Sequence, residues 1–308
     1  MTRALLITNP VAARTEAQAV TAVRDTLRRG GWRIELLATM KCGDARRFAR
    51  EAWDQGFDAV VCYGGDGTAM QAAAGLVGSE IPLGLVPGGT GNLLAGNLRL
   101  PRRPAAAARA ILRGVALPVD LGEVVREDGP QFFAVACGAG FDAELMAQTA
   151  QAAKQRWRMA AYVLRALETL PQVNSVAHHV TVDGTTHERT AAMVLVANCG
   201  ELMPPFLRLR RGVTPDDGWL DVLALRADGA MDAIVAFLEL LRGDGSGDHV
   251  WFARGRTISV AVAADPQRPV QLDGEPAGET PFTARLIPGA LRVLVDPETV
   301  PGGRRDDG

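Results

Sequence analysis

The first 119 residues alternate between short apolar runs and amphipathic segments, and this alternation restricts the fold more than any other feature of the sequence. Strands are predicted at residues 4–8, 32–39, 58–63 and 81–87, with helices at 16–29 and 44–55. Because strands joined through helices form right-handed crossovers, we expect a doubly wound parallel α/β sheet with helices on both faces. Ligands bind at the carboxyl ends of the strands in such sheets, so the loops that follow the strands are the first candidates for function.

The pattern changes after residue 119, where strand-like segments recur between turn signals. These segments are 122–125, 131–137, 179–182, 191–198, 218–225, 256–263, 270–272 and 283–286, with helices predicted at 142–170 and 231–241. Short strands at such spacing are typical of an antiparallel β-sandwich. We therefore expect an α/β domain at 1–119, completed by 290–298, a mostly antiparallel β-sandwich domain at 120–289, and a disordered polar tail at 299–308.

Charge and residue usage exclude several functional classes. The chain has 33 basic and 35 acidic side chains, a net charge of −2, whereas a general nucleic-acid binder needs a basic surplus. The cysteines and histidines show no metal-ligand spacing, and neither Lys41 nor Lys154 follows a glycine, so the sequence has no Walker A loop. It has no apolar run of about 20 residues. It also has no signal-peptide core, so we expect a cytoplasmic protein.

The motif Gly64-Gly65-Asp66-Gly67-Thr68 directly follows the third predicted strand. Its three glycines let the backbone turn tightly and bring N–H groups against phosphate oxygens. Thr68 opens the next helix, whose amino terminus favours an anion. A carboxylate at Asp66 repels phosphate unless Mg²⁺ or a proton lies between them, so we expect Asp66 to bind metal or accept a proton. The alternative is an Asp-Gly turn with a capping threonine.

A second glycine-rich turn, PGGTGN at 87–92, follows the fourth predicted strand and precedes another helix. Because the two turns end neighbouring strands, we expect them to form one anion-binding rim. The first and second strands also end in polar residues, Asn9 and Thr39. The sequence thus places polar or glycine-rich loops at the end of every predicted strand of the first domain.

With these motifs, the sequence resembles the catalytic family of diacylglycerol kinases and sphingosine kinases, including its bacterial members. The resemblance covers nearly the whole chain. Its motifs are Asn9-Pro10, GGDGT at 64–68, PGGTGN at 87–92, GFDAE at 140–144, TPDDGWLD at 214–221 and LDGE at 272–275. GGDGT alone is shared with NAD kinases, but PGGTGN and LDGE, in that order, make the resemblance specific.

The resemblance implies an ATP- and Mg²⁺-dependent lipid kinase of phospholipid biosynthesis, which transfers the γ-phosphate to a lipid hydroxyl in the cleft between the domains. It implies that Glu275 is the general base for that hydroxyl, with Asp66 as the second catalytic carboxylate. It also implies a structural Mg²⁺ at Asp217 and Trp219, with Thr214 nearby. The implied nucleotide site comprises Asn9, Pro10, Val11, Ala12, Ala13, Thr39, Gly64, Gly65, Asp66, Gly67, Thr68, Gln71, Gly89, Thr90, Gly91 and Asn92.

Three positions depart from the family's pattern. Gln71 stands where many members have glutamate, Leu93 where aspartate is often found, and Ala13 where glycine is frequent. Two alternatives stay open: a kinase of a soluble acceptor such as NAD, and a nucleotide- or lipid-binding regulator that has lost catalysis. The identity of the lipid acceptor also stays open, as does the oligomeric state, with a homodimer among the alternatives.

The apolar, proline-rich segment 201–207 is followed by Arg208, Arg210 and Arg211. An exposed apolar tip beside arginines suits the surface of an anionic membrane. We therefore expect the lipid substrate to be met at the membrane surface, through peripheral contact with the inner face of the membrane. The alternative is a loop that packs beneath the second domain.

Overall fold

A computed structural model describes residues 1–127, 129–140, 173–203, 207–209, 212–242, 247–263 and 267–297. The chain divides into two compact units. The first unit comprises Met1–Val119 together with the described residues from Gly289 onward, and the second comprises Asp120–Pro288. No helix in the described ranges is long and apolar enough to cross a bilayer.

The first unit is built on a parallel sheet. Its strands are β1 (Arg3–Thr8), β2 (Arg33–Ala38), β3 (Ala59–Gly64) and β4 (Leu83–Pro87). They lie in the order β2-β1-β3-β4, and every neighbouring pair is parallel. Beyond β4, Val293 near the end of the last strand of the chain, β18 (Phe282–Val295), pairs in parallel with Leu83. The carboxyl-terminal part of β18 therefore belongs to the first unit.

Helices cover both faces of this sheet: α1 (Ala17–Arg29), α2 (Asp44–Asp54), α3 (Asp66–Leu76), α4 (Leu93–Asn97) and α5 (Pro104–Arg113). On one face, Leu27 of α1 and Ile111 of α5 are buried against Leu6 of β1. α2 and α3 pack so tightly that a Cβ at Gly75 would lie 2.4 Å from the carbonyl oxygen of Arg46. Every residue of β3 is buried, as expected of a strand covered on both faces. The predicted α/β fold of this domain is confirmed.

The second unit is an antiparallel sandwich. Its strands are the second half of β5 (Val115–Arg126), β6 (Gly129–Phe133), β7 (Ala136–Gly140), β8 (Val176–Val182), β9 (Thr185–Ala191), β10 (Met193–Ala197), β11 (Glu201–Met203), β12 (Leu207–Arg208), β13 (Leu220–Leu225), β14 (Val250–Gly255), β15 (Thr257–Val262), β16 (Pro269–Leu272), β17 (Glu275–Glu279) and the start of β18. One sheet has the order β14-β13-β10-β7-β16-β17. Strands β8 and β15 are antiparallel neighbours that do not belong to that sheet. Val180 of β8 and Ile258 of β15 share a core with Val194, Val222 and Val270 of that sheet. The predicted sandwich is confirmed.

Several elements of the second unit differ from the predicted pattern. The segment 131–137, predicted as one strand, is divided between β6 and β7, because the backbone N–H groups of Ala134 and Val135 turn toward the carboxylate of Asp273. β9, β11, β12, β14 and β17 are not among the predicted strands, and β17 (EPAGE) consists mainly of residue types that are depleted in strands. The predicted helix at 231–241 is α6 (Ala230–Arg242). Residues 141–144 of GFDAE, the predicted helix 142–170 and the tail 299–308 lie outside the described residues, and the segment 201–211, the membrane contact expected from the sequence, lies partly outside them.

Candidate active site

The two glycine-rich turns lie against each other at the carboxyl ends of β3 and β4. The N–H of Gly88 donates to the carbonyl oxygen of Gly64 at 2.7 Å. A Cβ atom at Gly89 would lie 2.6 Å from the Cα of Gly65, closer than a Cβ atom approaches other heavy atoms in proteins. Glycine at position 89 therefore permits the close approach, and the two turns form one continuous rim.

The Asp66 carboxylate ties the first turn to the second. Its Oδ2 accepts a hydrogen bond from the N–H of Asn92 at 2.7 Å, and its Oδ1 accepts one from the N–H of Leu93 at 2.5 Å. These donors offset the negative charge that Asp66 places beside an anion-binding rim.

Asn92 closes the second turn on itself. Its Oδ1 accepts a hydrogen bond from the N–H of Gly89, and its Nδ2 donates to the Gly89 carbonyl, both at 2.8 Å. Asn92 also has a φ of 53°, a left-handed conformation that asparagine adopts more readily than most residues. The last position of PGGTGN therefore favours asparagine for both its amide and its backbone.

Asn9 joins the end of β1 to the same rim. Its Nδ2 donates to the Thr68 hydroxyl at 3.0 Å, and its Oδ1 accepts the N–H of Val11 at 3.1 Å. The N–H of Ala12 donates to the Asn9 carbonyl, which closes a largely exposed turn at residues 10–13. The predicted nucleotide-site residues of β1, GGDGT and PGGTGN thus come together at one edge of the first unit.

Thr39 lies in the loop that follows β2, and Gln71 of α3 contacts the same loop. The N–H of Thr39 donates to the Thr8 carbonyl at 2.8 Å and continues the β1–β2 pairing. The Oε1 of Gln71 accepts the N–H of Gly43 at 2.9 Å, and its Nε2 donates to the Cys42 Sγ at 3.3 Å. Gln71 therefore holds this loop with both ends of its amide, whereas an ionised glutamate has no donor for the sulfur.

Asp44 supports the same loop from the first turn of α2. Its buried Oδ2 accepts the N–H groups of Met40 at 2.9 Å and Lys41 at 3.0 Å, while Arg47 lies 3.2 Å from Oδ1. The backbone hydrogen bonds from Met40 and Lys41 hold the pKa of the Asp44 carboxyl below its usual range. Asp44 is absent from the predicted site, although an aspartate at a predicted helix start is a recognisable signal of a hydrogen-bonded carboxylate.

Glu275 lies in the second unit, after a two-residue hairpin turn between β16 and β17. Asp273 and Gly274 have positive φ values of 48° and 89°, the combination of a type I′ turn. Glu275 pairs with Leu272 across the turn, and Glu275 is exposed. The turn therefore presents the Glu275 carboxylate at the surface of the second unit, and its role as a general base stays a prediction.

Asp273 fixes this turn to the rest of the sandwich. Its carboxylate accepts hydrogen bonds from the N–H groups of Ala134 at 2.7 Å, Val135 at 2.8 Å and Ala136 at 2.9 Å. The N–H of Asp273 also donates to the Ala136 carbonyl at 2.9 Å. Three consecutive N–H groups around a carboxylate form an anion-binding nest, here filled by the protein's own side chain. Only the fold brings these residues together, so sequence reasoning missed the role of Asp273.

Thr214, Asp217 and Trp219, which the resemblance assigns to a structural Mg²⁺, form a closed turn in the second unit. Asp217 accepts the N–H groups of Trp219 at 3.0 Å and Thr214 at 3.4 Å, and Arg254 Nη2 lies 3.3 Å from its Oδ2. Burial raises the pKa of the Asp217 carboxyl, although these donors favour its ionised form. Arg254 also pairs with the buried Asp221 at 2.7 Å. Metal binding by this turn stays a prediction.

Within the part of the chain that the structure describes, no group of three or more His, Cys, Asp or Glu side chains is arranged to hold a metal ion. Mg²⁺ is usually bound by one or two carboxylates together with water and substrate phosphates. A single carboxylate at Asp66, beside a rim suited to phosphate, fits that mode of binding. It does not fit a metal held by protein ligands alone.

A parallel α/β domain with paired glycine turns at its strand ends, followed by an antiparallel sandwich, defines a class of two-domain kinases. Comparison with protein families agrees with this division. The diacylglycerol kinase catalytic domain matches residues 3–124, and the YegS C-terminal NAD kinase beta sandwich-like domain matches residues 135–295.

Related proteins align with this chain over almost its full length and over almost their own. A "Probable lipid kinase YegS-like" of Pseudomonas fluorescens is 34% identical, covering 98% of this chain and 99% of that protein. A "Diacylglycerol kinase" of Bacillus subtilis is 29% identical, covering 91% of this chain and 92% of that protein. The chain therefore belongs to the YegS-like lipid kinase family, which is related to the bacterial diacylglycerol kinases, and the resemblance noted from the motifs is confirmed.

Solved structures show the same fold. Two crystal structures from Bacillus anthracis str. Sterne superimpose with TM-scores of 0.80 and 0.75, at 25% and 23% sequence identity. Each covers 97% of this chain and 98% of the solved chain, and the second is named as a diacylglycerol kinase. The arrangement of an α/β domain and a sandwich is thus shared over nearly the whole chain.

Proposed function

We propose that this protein transfers the γ-phosphate of ATP to the hydroxyl group of a lipid, with Mg²⁺ as its metal cofactor. Membership of a lipid kinase family supports this chemistry. The observation that carries the proposal is the rim formed by the two glycine turns, where position 89 leaves no space for a side chain beside Gly65. Backbone without side chains can approach phosphate oxygens closely and direct N–H groups at them.

The first unit is the proposed nucleotide-binding part. The first turn of α3 directs N–H groups toward the rim, and anions are favoured at such a helix terminus. Thr68, hydrogen-bonded to Asn9, lies in that turn and joins it to the end of β1. Mg²⁺, when bound near Asp66, would neutralise phosphate charge.

Glu275 is the proposed general base. The proton of the lipid hydroxyl goes to the Glu275 carboxylate, the hydroxyl oxygen forms a bond to the γ-phosphorus, and the bond from that phosphorus to the β-phosphate oxygen breaks, which releases ADP. Glu275 is exposed at the start of β17, and the neighbouring Asp273 is anchored by three hydrogen bonds.

A soluble acceptor such as NAD is the second candidate. The description of the matched C-terminal family as NAD kinase beta sandwich-like favours it. The third candidate is an inactive regulator, which the departures from the family's pattern at Gln71 and Leu93 favour. Gln71 holds the loop after β2 and so has a use that is independent of catalysis.

The test is a kinase assay with ATP labelled in its γ-phosphate, offered separately to a total lipid extract and to NAD. We expect label in an organic-soluble product from the lipid extract, in a Mg²⁺-dependent reaction. We compare Glu275→Gln with Glu279→Gln, a matched control at the other end of the exposed strand β17. Loss of a general base lowers kcat by about 100-fold or more. The control is expected to retain the activity of the wild type.

The outcomes separate the candidates. Label in NAD alone would reject the lipid acceptor while retaining the kinase. ATP binding without transfer to either acceptor would favour the regulator. If lipid is labelled and Glu275→Gln is as active as the wild type, the lipid kinase stands and the assignment of the base is wrong.

A further inference from the structure

Two large apolar side chains are exposed at the edge of the first unit that carries the glycine-rich rim. Val11, in the turn after β1, is 90% exposed, and Met40, in the loop after β2, is 88% exposed. Apart from Met1, no large apolar residue is more exposed in the part of the chain that the structure describes, and the next, Met231, is 72% exposed. One exposed apolar residue is common on a protein surface. Two of them after neighbouring strands, at the ligand-binding edge of an α/β sheet, indicate a binding surface.

The backbone of the loop after β2 is held by two helices. Asp44 of α2 accepts the N–H groups of Met40 at 2.9 Å and Lys41 at 3.0 Å. Gln71 of α3 accepts the N–H of Gly43 at 2.9 Å. Since these bonds fix the loop at both ends, they also fix the point from which the exposed Met40 side chain projects. The loop therefore presents an apolar side chain in a defined place beside the rim.

Backbone N–H groups near these two side chains are already bonded within the protein. In the turn after β1, the N–H groups of Val11 and Ala12 donate to the side chain and the carbonyl of Asn9, each at 3.1 Å. In the loop after β2, the N–H of Thr39 donates to the Thr8 carbonyl at 2.8 Å, and the donors bound by α2 and α3 are likewise occupied. An occupied donor binds a phosphate oxygen only at the cost of its existing bond. Phosphate is therefore expected at the first turn of α3, and these two loops offer mainly side chains.

The strand order determines the direction in which a nucleotide extends from the rim. β1 lies between β2 and β3, so the chain passes from β1 to one side of the sheet and then returns to the other side. Ligands bind across the strand ends at such a reversal. With phosphate at α3, directly after β3, the rest of the nucleotide extends over the end of β1 toward β2. Neighbouring strands are about 4.8 Å apart, so the ends of β3 and β2 are separated by about 10 Å, a gap that a ribose bridges.

We propose that the side chains of Met40 and Val11 form the subsite that holds the nucleobase of ATP. This inference rests on the proposed function, because it assigns the base of the nucleotide whose phosphates the rim is proposed to bind. A base has flat apolar faces, and methionine, which is unbranched and polarizable, packs favourably against aromatic rings. Met40 is absent from the residues that the family resemblance implies. Asp44 and Gln71 act on this subsite as positioning residues, since they hold the loop that carries Met40.

The test compares ATP with inorganic tripolyphosphate, which has the phosphates without the base. Titration calorimetry in the presence of Mg²⁺ gives both affinities for the full chain as wild type, Met40→Ser and Met40→Leu. The matched control is Met231→Ser, at an exposed methionine of α6 in the second unit. We expect Met40→Ser to weaken ATP binding about tenfold, because an apolar contact is lost, and to leave the affinity for tripolyphosphate unchanged. Met40→Leu, which keeps an apolar side chain of similar size, and the control are expected to bind both ligands as the wild type does.

The comparison also separates this inference from the proposed function. An equal loss of affinity for ATP and tripolyphosphate in Met40→Ser would mean that Met40 acts on the phosphates, and unchanged ATP affinity would remove the base from this loop. A wild type that binds the two ligands equally would show that the base has no subsite, while the proposed kinase would stand. A wild type that binds neither ligand would reject the proposed function together with this inference.

Discussion

Asp66 and Asn92 are joined by a hydrogen bond of 2.7 Å between Oδ2 of Asp66 and the backbone N–H of Asn92. The bond links the first residue of α3 to the end of the second glycine turn, and a companion bond from Leu93 holds the start of α4. The aspartate of GGDGT therefore shapes the rim in addition to any part it takes in binding Mg²⁺. Loss of activity in an Asp66 variant is then insufficient evidence for a metal ligand.

We predict that Asp66→Ala weakens ATP binding about tenfold or more in the absence of Mg²⁺ as well as in its presence. The reason is that the two N–H groups lose their acceptor and the rim loses its shape. Hydrogen bonds to a charged group contribute about 1.5–3 kcal/mol each, so the free energy of unfolding is also expected to fall. Titration calorimetry with and without Mg²⁺ checks the first effect, and urea unfolding checks the second.

The control for this variant is Asp54→Ala, at the exposed end of α2. It removes a carboxylate from the same unit without touching the rim. Unchanged stability and unchanged metal-free ATP binding in Asp66→Ala would show that Asp66 acts through the metal alone.

The contact between Gly65 and Gly89 predicts that alanine destabilises the protein more at position 89 than at position 65. A Cβ at position 89 would lie 2.6 Å from the Cα of Gly65, whereas a Cβ at position 65 would lie 3.4 Å from the Cα of Gly89. Overpacking typically costs about 1–3 kcal/mol, so Gly89→Ala is expected to lower the free energy of unfolding by that amount and Gly65→Ala by less. Urea unfolding of both variants tests the order, and a larger loss in Gly65→Ala would contradict the geometry.

The sequence predicts β1, β3 and β4 of the first unit well because these strands are almost entirely buried and give continuous apolar runs. β3 (Ala59–Gly64), for example, differs from the predicted strand 58–63 by one residue at each end. The meeting of GGDGT and PGGTGN was predictable for a related reason, since neighbouring parallel strands end at the same edge of the sheet.

Contacts between residues distant in sequence could not be predicted in this way. Asp273 binds the N–H groups of residues 134–136, which lie more than 130 positions earlier, and this contact breaks the strand predicted at 131–137. Strand β17 is not predicted from the sequence, because its proline, glycine and glutamates give no strand pattern. The preceding Asp-Gly pair is nevertheless a strong signal of a β-hairpin. The bond between Asp66 and Asn92 likewise needs both loops in place.

The lowered pKa of Asp44 predicts how the free energy of unfolding depends on pH. Its pKa is lower in the folded than in the unfolded protein, because Met40 and Lys41 donate to the ionised carboxylate. A depressed pKa contributes stability that is present above the unfolded value of about 3.9 and is lost as the pH falls through the folded value. We therefore expect Asp44→Asn to be less stable than the wild type at pH 7, with a difference that shrinks as the pH is lowered below about 4.

Urea unfolding of both proteins at neutral and acidic pH checks this prediction. Asp54→Asn, which changes an exposed carboxylate of the same helix, is the control and should show little difference at any pH. A stability difference between Asp44→Asn and the wild type that stays constant down to pH 3 would contradict a role for the ionised carboxylate.

The anchoring of Asp273 predicts how the turn before Glu275 supports catalysis. Asp273→Ala leaves the N–H groups of Ala134, Val135 and Ala136 without their acceptor, and an unsatisfied buried polar group costs about 1–3 kcal/mol. We expect the free energy of unfolding to fall by about this amount and kcat to fall about tenfold or more, since Glu275 is held less firmly. The KM for ATP is expected to stay unchanged, because Asp273 lies in the second unit.

A double-mutant cycle distinguishes this positioning role from a general loss of structure. If Asp273 acts on the reaction only through Glu275, then Asp273→Ala lowers kcat in the wild type but causes no further loss in Glu275→Gln. A merely structural effect would lower kcat by the same factor in both backgrounds. The stability loss, by contrast, should be the same with or without Glu275, because the bonds from Asp273 to residues 134–136 do not involve the Glu275 side chain. Additive losses in kcat would therefore show that Asp273 supports the sandwich without positioning the base.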